Sequence, residues 1–290
     1  MRSKSCILLS CLLPLILQAG SVRFRKIPVQ AQLKAPESFL YDPETDSYFI
    51  SNVNGTPAAM DNNGFITRLG SDLSVREPKF ISGRAAGPVL NGPKGMAVYQ
   101  GKLYLTDITS VRAFDIKTGK LIRALRLTPM RPKFLNDICA LKGKIYVTDT
   151  GTRRILELDP GLRSCKILCE LKYPPNGIVP APDGKSLTCV TWGPGKILEI
   201  TLEGKVRKIF DAEPKGLGNF DGAVYDKAGN LYVSSFTRGT IYRFTRRGGL
   251  KAVYSGLTTP ADIGIDSRGR LLVPLMQANG AVVLEPLKQR

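Results

Sequence analysis

The sequence predicts an all-β protein, a six-bladed β-propeller with four-stranded blades closed by the N-terminal strand. Three observations predict it. Six stretches share one pattern: an apolar strand, a turn holding Gly or Asp, and a second β-rich strand. They recur with a period of about 40 residues, the length of a propeller blade. The last stretch runs out of chain after three strands, while a strand-like segment stands unassigned ahead of the first.

The units, in order, are "PESFLYDPETDSYFISNV", "PKGMAVYQGKLYLTDI", "LNDICALKGKIYVTDT", "PNGIVPAPDGKSLTCVTW", "FDGAVYDKAGNLYVSSF" and "ADIGIDSRGRLLVPLM". Third strands follow at "VRAFDIKTGK", "RILELDPGL", "KILEITLEGK", "TIYRFTRRGG" and "AVVLEPL", and fourth strands at "LIRALRL", "CKILCEL", "VRKIFDA" and "KAVYSGL". The segment "SVRFRKIPVQAQL" supplies the outer strand that the sixth unit lacks, which closes the ring and leaves no open sheet edge. The first unit carries an insertion, residues 54–65, which reads as a surface loop or a lid over one mouth of the channel. A parallel α/β fold fits poorly, because there is no room for a helix between successive strands.

The first residues, "MRSKSCILLSCLLPLILQAGS", have a basic start, an apolar run from Cys6 to Leu17 and small residues at Ala19, Gly20 and Ser21. This is the pattern of a signal peptide over residues 1–20, followed by a single propeller domain over 21–290. The expected destination is the periplasm or the exterior, with no stable membrane insertion after cleavage. Of the six cysteines, Cys139, Cys165, Cys169 and Cys189 fall in the domain and read as small core residues.

The chain has 42 Lys and Arg against 24 Asp and Glu, a formal charge of +18, and no histidine. The missing histidine excludes His-assisted serine or cysteine nucleophiles, a His general base and zinc sites with His ligands. The basic residues are scattered and not interleaved with aromatics, so nucleic acid is not an expected partner.

Glu37, Lys94, Asn136, Asn176, Asp221 and Ala261 occupy matching points just before the first strand of each unit. In a propeller those points ring one mouth of the central channel. Glu37, Asn136, Asn176 and Asp221 then form a hard oxygen-donor set suited to calcium, or to magnesium and manganese with more retained water. Asn and Asp at "NG", "ND" and "DG" also serve as plain turn formers. By its blade position Trp192 lies near the mouth or packs under it.

The chain resembles the regucalcin (senescence marker protein) and gluconolactonase family of six-bladed propellers. "APESFLYDPETDSYFISNVNG", "YPPNGIVPAPDGKSL", "NFDGAVYDKAGNLYVSSF" and "FLNDICALKGKIYVTD" carry the resemblance. It implies a metal held by Glu37, Asn176 and Asp221, with calcium first and magnesium, manganese or zinc as alternatives. It implies Asp221 as the catalytic residue, and Asn136 and Asp137 as substrate-binding. The implied activity is hydrolysis of a lactone, the partner being a small lactone or sugar-like ligand. One departure stands out: sugar lactonases of the family often carry Arg at the position of Phe134, and Arg131 and Lys133 are the nearby cations. The alternative is a non-catalytic envelope propeller that binds a sugar, a wall fragment or a protein.

Overall fold

The computed structural model describes residues 22–83 and 88–287. The signal-peptide expectation falls on residues 1–20, outside them. The described strands form six separate four-stranded antiparallel sheets, each ordered as a simple meander except the last. The inner strands are Pro36–Asp42, Pro93–Tyr99, Leu135–Leu141, Pro175–Pro180, Phe220–Tyr225 and the short Gly264–Ile265. In the sixth sheet the outer place is taken by Phe24–Pro28, which runs antiparallel to Gly280–Pro286 with Phe24 opposite Pro286 and Pro28 opposite Val282. The six-bladed fold and its closure by the N-terminal strand are as the repeat predicts.

Strand alternation explains how the blades stack. Tyr48 and Ile50 face the sixth blade, in a cluster with Leu272 and Val283, while Phe49 between them faces the second blade with Met96 and Leu105. Ile145 and Val147 pack on the second blade and Tyr146 on the fourth. Leu231 and Val233 pack on the fourth and Tyr232 on the sixth. Each second strand is therefore apolar on both faces, the mark of a sheet covered on both sides. Six apolar clusters result among the described residues, one between each pair of neighbouring blades. The outer strands are mostly exposed, as at Leu121–Arg126 and Val206–Asp211. Cys139 and Cys189 sit in the cluster between blades three and four, and all four domain cysteines are free thiols.

Each of the five long inner strands breaks its ladder at the same point. The register shifts between Pro36 and Phe39, Pro93 and Met96, Leu135 and Ile138, Pro175 and Ile178, and Phe220 and Ala223. Two residues per strand are thereby freed from pairing. They are Glu37–Ser38, Lys94–Gly95, Asn136–Asp137, Asn176–Gly177 and Asp221–Gly222. Such irregularities re-aim side chains and are frequent beside functional sites. The lost main-chain bonds are replaced from the second strand: Ser38 N donates to Ser51 Oγ at 2.9 Å, Asp137 N to Thr148 Oγ1 at 2.8 Å and Gly222 N to Ser234 Oγ at 2.8 Å. In blade four the corresponding residue is Val190, which has no hydroxyl. One residue beyond that break, Ile178 N donates to Asp137 Oδ2 of the preceding blade, at 2.6 Å.

The inner strands approach so closely that three of these breaks, at Gly95, Gly177 and Gly222, require glycine for space alone. A Cβ on Gly222 would stand 2.3 Å from Ile263 N and 2.6 Å from Asp262 Cα, and one on Gly177 2.6 Å from Asp221 O. We expect Gly222→Ala to cost about 1–3 kcal/mol by overpacking against backbone. Gly280→Ala, whose Cβ would meet nothing closer than 3.8 Å, should stay within about 0.5 kcal/mol of wild type. Urea unfolding of the two variants checks this, and equal midpoints would refute the close-approach account.

Candidate metal centre

Four of the five sequence-predicted site residues line one cavity of about 350 Å³ at the mouth: Glu37, Asn136, Asn176 and Asp221. Each is the first residue of its ladder break, and each is buried. Lys94, the equivalent residue of blade two, joins them, whereas Ala261 does not line the cavity. The fifth predicted residue, Asp137, lies elsewhere. As the second residue of its break it faces the channel enclosed by the inner strands, in a separate cavity with Ser38 and Asp262. Its oxygens accept hydrogen bonds from Ile138 N at 2.7 Å and Ile178 N at 2.6 Å. It therefore ties blade three to blade four and does not line the mouth cavity with Asn136.

The approach to the inner strands is fixed by polar residues at the ends of the second strands. Asp107 accepts from Asn91 N and Gly92 N, both at 2.9 Å, and pairs with Arg112 at 2.9 Å. Asp149 accepts from Lys133 N at 3.2 Å and Phe134 N at 2.9 Å. These anchors hold the segments that carry Lys94 and Asn136. Sequence reasoning passed over them, although "LTD" and "VTD" recur at the same register.

The donor set fits a hard cation. Glu37 Oε2 and Asp221 Oδ1 are buried with no hydrogen-bond partner among the described residues, and leaving a buried charged oxygen unmatched is costly. Burial, then the facing Asp221 and Asp262 carboxylates, push the Glu37 carboxyl well above the usual range, against a smaller pull from Lys94. Burial and Asp262 push Asp221 up as well. Asp262 is raised by burial to about 7, although its bond from Ser38 Oγ, 2.6 Å, opposes this. Among the described residues, no three Asp, Glu, Cys or His side chains group to hold an ion by themselves. The carboxamides of Asn136 and Asn176 line the same cavity, and together with the two carboxylates they offer the oxygen chemistry of calcium or magnesium.

Among the described residues the one cation lining the cavity is Lys94. It is 1% exposed. Its Nζ donates to Gly92 O at 3.1 Å and lies 4.4 Å from the centroid of the Phe134 ring. Burial lowers its pKa to about 8, in spite of Glu37 and Asp107 nearby. Arg131 and Lys133, the cations nearest Phe134 in sequence, are exposed and line no part of the cavity. The insertion of blade one reaches the mouth through Pro57. Its Asp61, Asn62 and Asn63 are engaged in local and inter-blade bonds, such as Leu90 N to Asn62 Oδ1 at 2.8 Å and Asn63 Nδ2 to Asp61 Oδ2 at 2.7 Å.

These carboxyls set a pH dependence whose sign is fixed. A carboxyl with a raised folded pKa binds its proton while the unfolded chain does not, so the folded state gains stability as pH falls through that window. The metal-free protein should therefore melt higher at pH 5 than at pH 7, by at least about 2 °C. Above that window the gain is lost as pH rises through about 7, where Asp262 gives up its proton. A divalent cation held by these carboxylates would compete with the protons, so on the expectation of such a site saturating calcium should raise the melting point most at pH 7 and flatten the trend. Circular dichroism melts in chelator and in calcium test this; a metal-free melting point that falls between pH 7 and pH 5 would contradict it.

Comparisons with known proteins agree with this architecture. A gluconolactonase from Xanthomonas campestris superposes with a TM-score of 0.70 at 17% identity, covering 91% of this chain and 90% of its own. A luciferin-regenerating enzyme gives 0.69 at 13%, covering 91% and 96%. Virginiamycin B lyase from Staphylococcus aureus gives 0.64 at 15%, covering 93% and 90%. At such identities the likeness speaks for the fold. No curated protein matches the chain. The profile of the SMP-30/Gluconolactonase/LRE-like region matches residues 84–263, more than half of the sequence. The chain accordingly belongs to the SMP-30/gluconolactonase/LRE-like family.

Proposed function

We propose that this protein is an exported, metal-dependent hydrolase of lactones. The observation that carries the reading is the pair of buried, unpartnered carboxylate oxygens, Glu37 Oε2 and Asp221 Oδ1, in a cavity shared with two carboxamides. Glu37, Asn176 and Asp221 are the assigned ligands, with Asn136 beside them. A divalent cation, calcium first, supplies Lewis acidity toward the ester carbonyl when bound. Asp221 is assigned the second task of orienting the attacking water and taking its proton at Oδ1. Asn136 donates Nδ2 to Thr150 Oγ1 at 3.2 Å, which fixes its amide and leaves its carbonyl oxygen for the site. Family membership and the gluconolactonase fold neighbours support the lactone class.

Elimination chemistry of the kind suggested by the lyase neighbour is disfavoured. A histidine-to-alanine form of virginiamycin B lyase is catalytically inactive, and this chain contains no histidine. A second reading, a binding propeller without catalysis, is favoured by Phe134, which puts a ring where family sugar lactonases often carry Arg. Turnover decides between them.

Purified protein should open at least one lactone of a panel in calcium and lose that activity in chelator; no turnover with any divalent metal would leave the binding reading ahead. In calorimetric titration, Asp221→Ala should weaken calcium binding at least tenfold, because it removes a charge as well as an oxygen, and Asn176→Ala should weaken it less. Unchanged affinity in Asp221→Ala would refute the ligand set. Export is checked by N-terminal sequencing of the protein from periplasm or medium. The mature chain is expected to begin near Gly20 or Ser21, and an intact Met1 there would overturn the leader assignment.

A further inference from the structure

The mouth cavity separates its chemistry by depth. All its charged groups, and both carboxamides, come from the ladder breaks: Glu37, Lys94, Asn136, Asn176 and Asp221. The rest of the lining is apolar except for one residue. Pro57, Phe134, Trp192, Phe236 and Met276 come from five different parts of the ring, and Trp192 packs edge-on to Phe236 with centroids 5.5 Å apart. The exception, Thr150, is already used: its Oγ1 donates to Pro175 O at 2.6 Å and accepts from Asn136 Nδ2. Beyond the single indole N–H of Trp192, a donor only, the side chains of this wall thus offer no free oxygen or nitrogen to a ring of sugar hydroxyls. A hydroxyl seated there would lose its water without replacement.

Lys94 completes the argument. It has no carboxylate within ion-pair distance among the described residues, and its partners are one main-chain carbonyl and the face of Phe134. An ammonium with donors to spare, against an aromatic wall, matches an electron-rich group carried on an apolar body.

We propose that the cavity selects lactones with an aromatic or aliphatic body, and the hydroxy acids they open to, over polyhydroxylated sugar lactones, with Lys94 as the specificity-determining residue that holds the carboxyl end. The cavity of about 350 Å³ suits a monocyclic or fused bicyclic lactone, at the small end of ligand sites. The ligand class rests on the lactonase reading for its chemistry, but the selectivity follows from the wall and the lysine alone.

Trp192 is the only tryptophan of the chain, so its fluorescence reports occupancy without turnover. The probes are 3-(2-hydroxyphenyl)propionate and gluconate, titrated into the full-length mature protein with and without calcium. The aromatic hydroxy acid should change Trp192 emission with an affinity at least tenfold tighter than gluconate. Lys94→Met, which keeps the chain length and removes the charge, should lose at least tenfold of that affinity. Phe236→Ser, on the half-buried wall, should weaken the aromatic probe several-fold and leave gluconate unchanged, which keeps the test decisive if Lys94→Met fails to fold. Gluconate binding as tightly as the aromatic acid, or wild-type affinities in both variants, would overturn the proposal. The two readings fail separately. Selective binding without hydrolysis of any lactone removes the activity and keeps the ligand class; faster hydrolysis of gluconolactone than of dihydrocoumarin keeps the activity and removes the ligand class.

Discussion

In a regular strand, neighbouring side chains point to opposite faces of the sheet, and in a propeller those faces are covered by the adjacent blades. A polar residue in an unbroken inner strand would therefore be driven into an apolar interface. The two-residue break in each long inner strand removes this conflict. It turns one residue toward the mouth and the next toward the channel, so Glu37, Lys94, Asn136, Asn176 and Asp221 share one cavity while Ser38, Asp137 and the glycines between them face inward. The break leaves main-chain donors to be matched. The hydroxyls of Ser51, Thr148 and Ser234 match those of Ser38, Asp137 and Gly222, and the carboxylate of Asp137 reaches across to Ile178 N of blade four. Ser234 Oγ also donates to Ala261 O of the next blade at 2.7 Å, so the repair of one strand helps to dock its neighbour.

The electrostatics of the mouth run against those of the whole protein. The chain carries a formal charge of +18, yet its centre gathers the carboxyls of Glu37, Asp137, Asp221 and Asp262 around one buried lysine. Burial raises the pKa of all four, the neighbouring carboxylates raise those of Glu37, Asp137 and Asp221 further, and protons or a cation relieve the excess. Lys94 is not equivalent to a bound cation here. It makes no ion pair with Glu37 or Asp221 and leaves their buried oxygens without partners. The basic exterior raises the local concentration of anions around this acidic mouth, which favours the approach of an acidic ligand or product.

Much of this was legible in the sequence because the propeller repeats. Six units at one period fix the fold, and the unmatched segment ahead of Glu37 fixes the closure, without any knowledge of a single side-chain contact. The same repeat brought Glu37, Asn136, Asn176 and Asp221 to one mouth. That Asp137 faces a different cavity from Asn136 was not legible, because adjacency in sequence means opposition in space at a ladder break, and the break is not visible as a motif. Lys94 stood in the alignment as a matching position, but its role depended on where Nζ points and on the Phe134 ring beneath it. Pro57 could not be told from an ordinary loop residue, since the direction of an insertion is set by packing rather than by composition.

The sixth blade shows what the common design permits. Its inner strand is reduced to Gly264–Ile265, and the residues before it bond outward to blade one: Asp262 N donates to Glu37 O at 2.8 Å, and Ser38 pairs with Asp262 in a parallel bridge. The junction where the ring closes is thus held twice, by the N-terminal strand at the rim and by this bridge at the channel. Ala261 stands where the other blades carry a polar or charged residue, and it spends its own N–H and carbonyl on Pro274 O and Ser234 Oγ. Blade six therefore contributes no donor to the floor of the cavity and supplies Met276 to its wall. One side of the mouth is left apolar as a consequence of how the ring is closed. The gap that blade six leaves in a polar floor built by the other five blades arises from the same geometry that makes the fold complete.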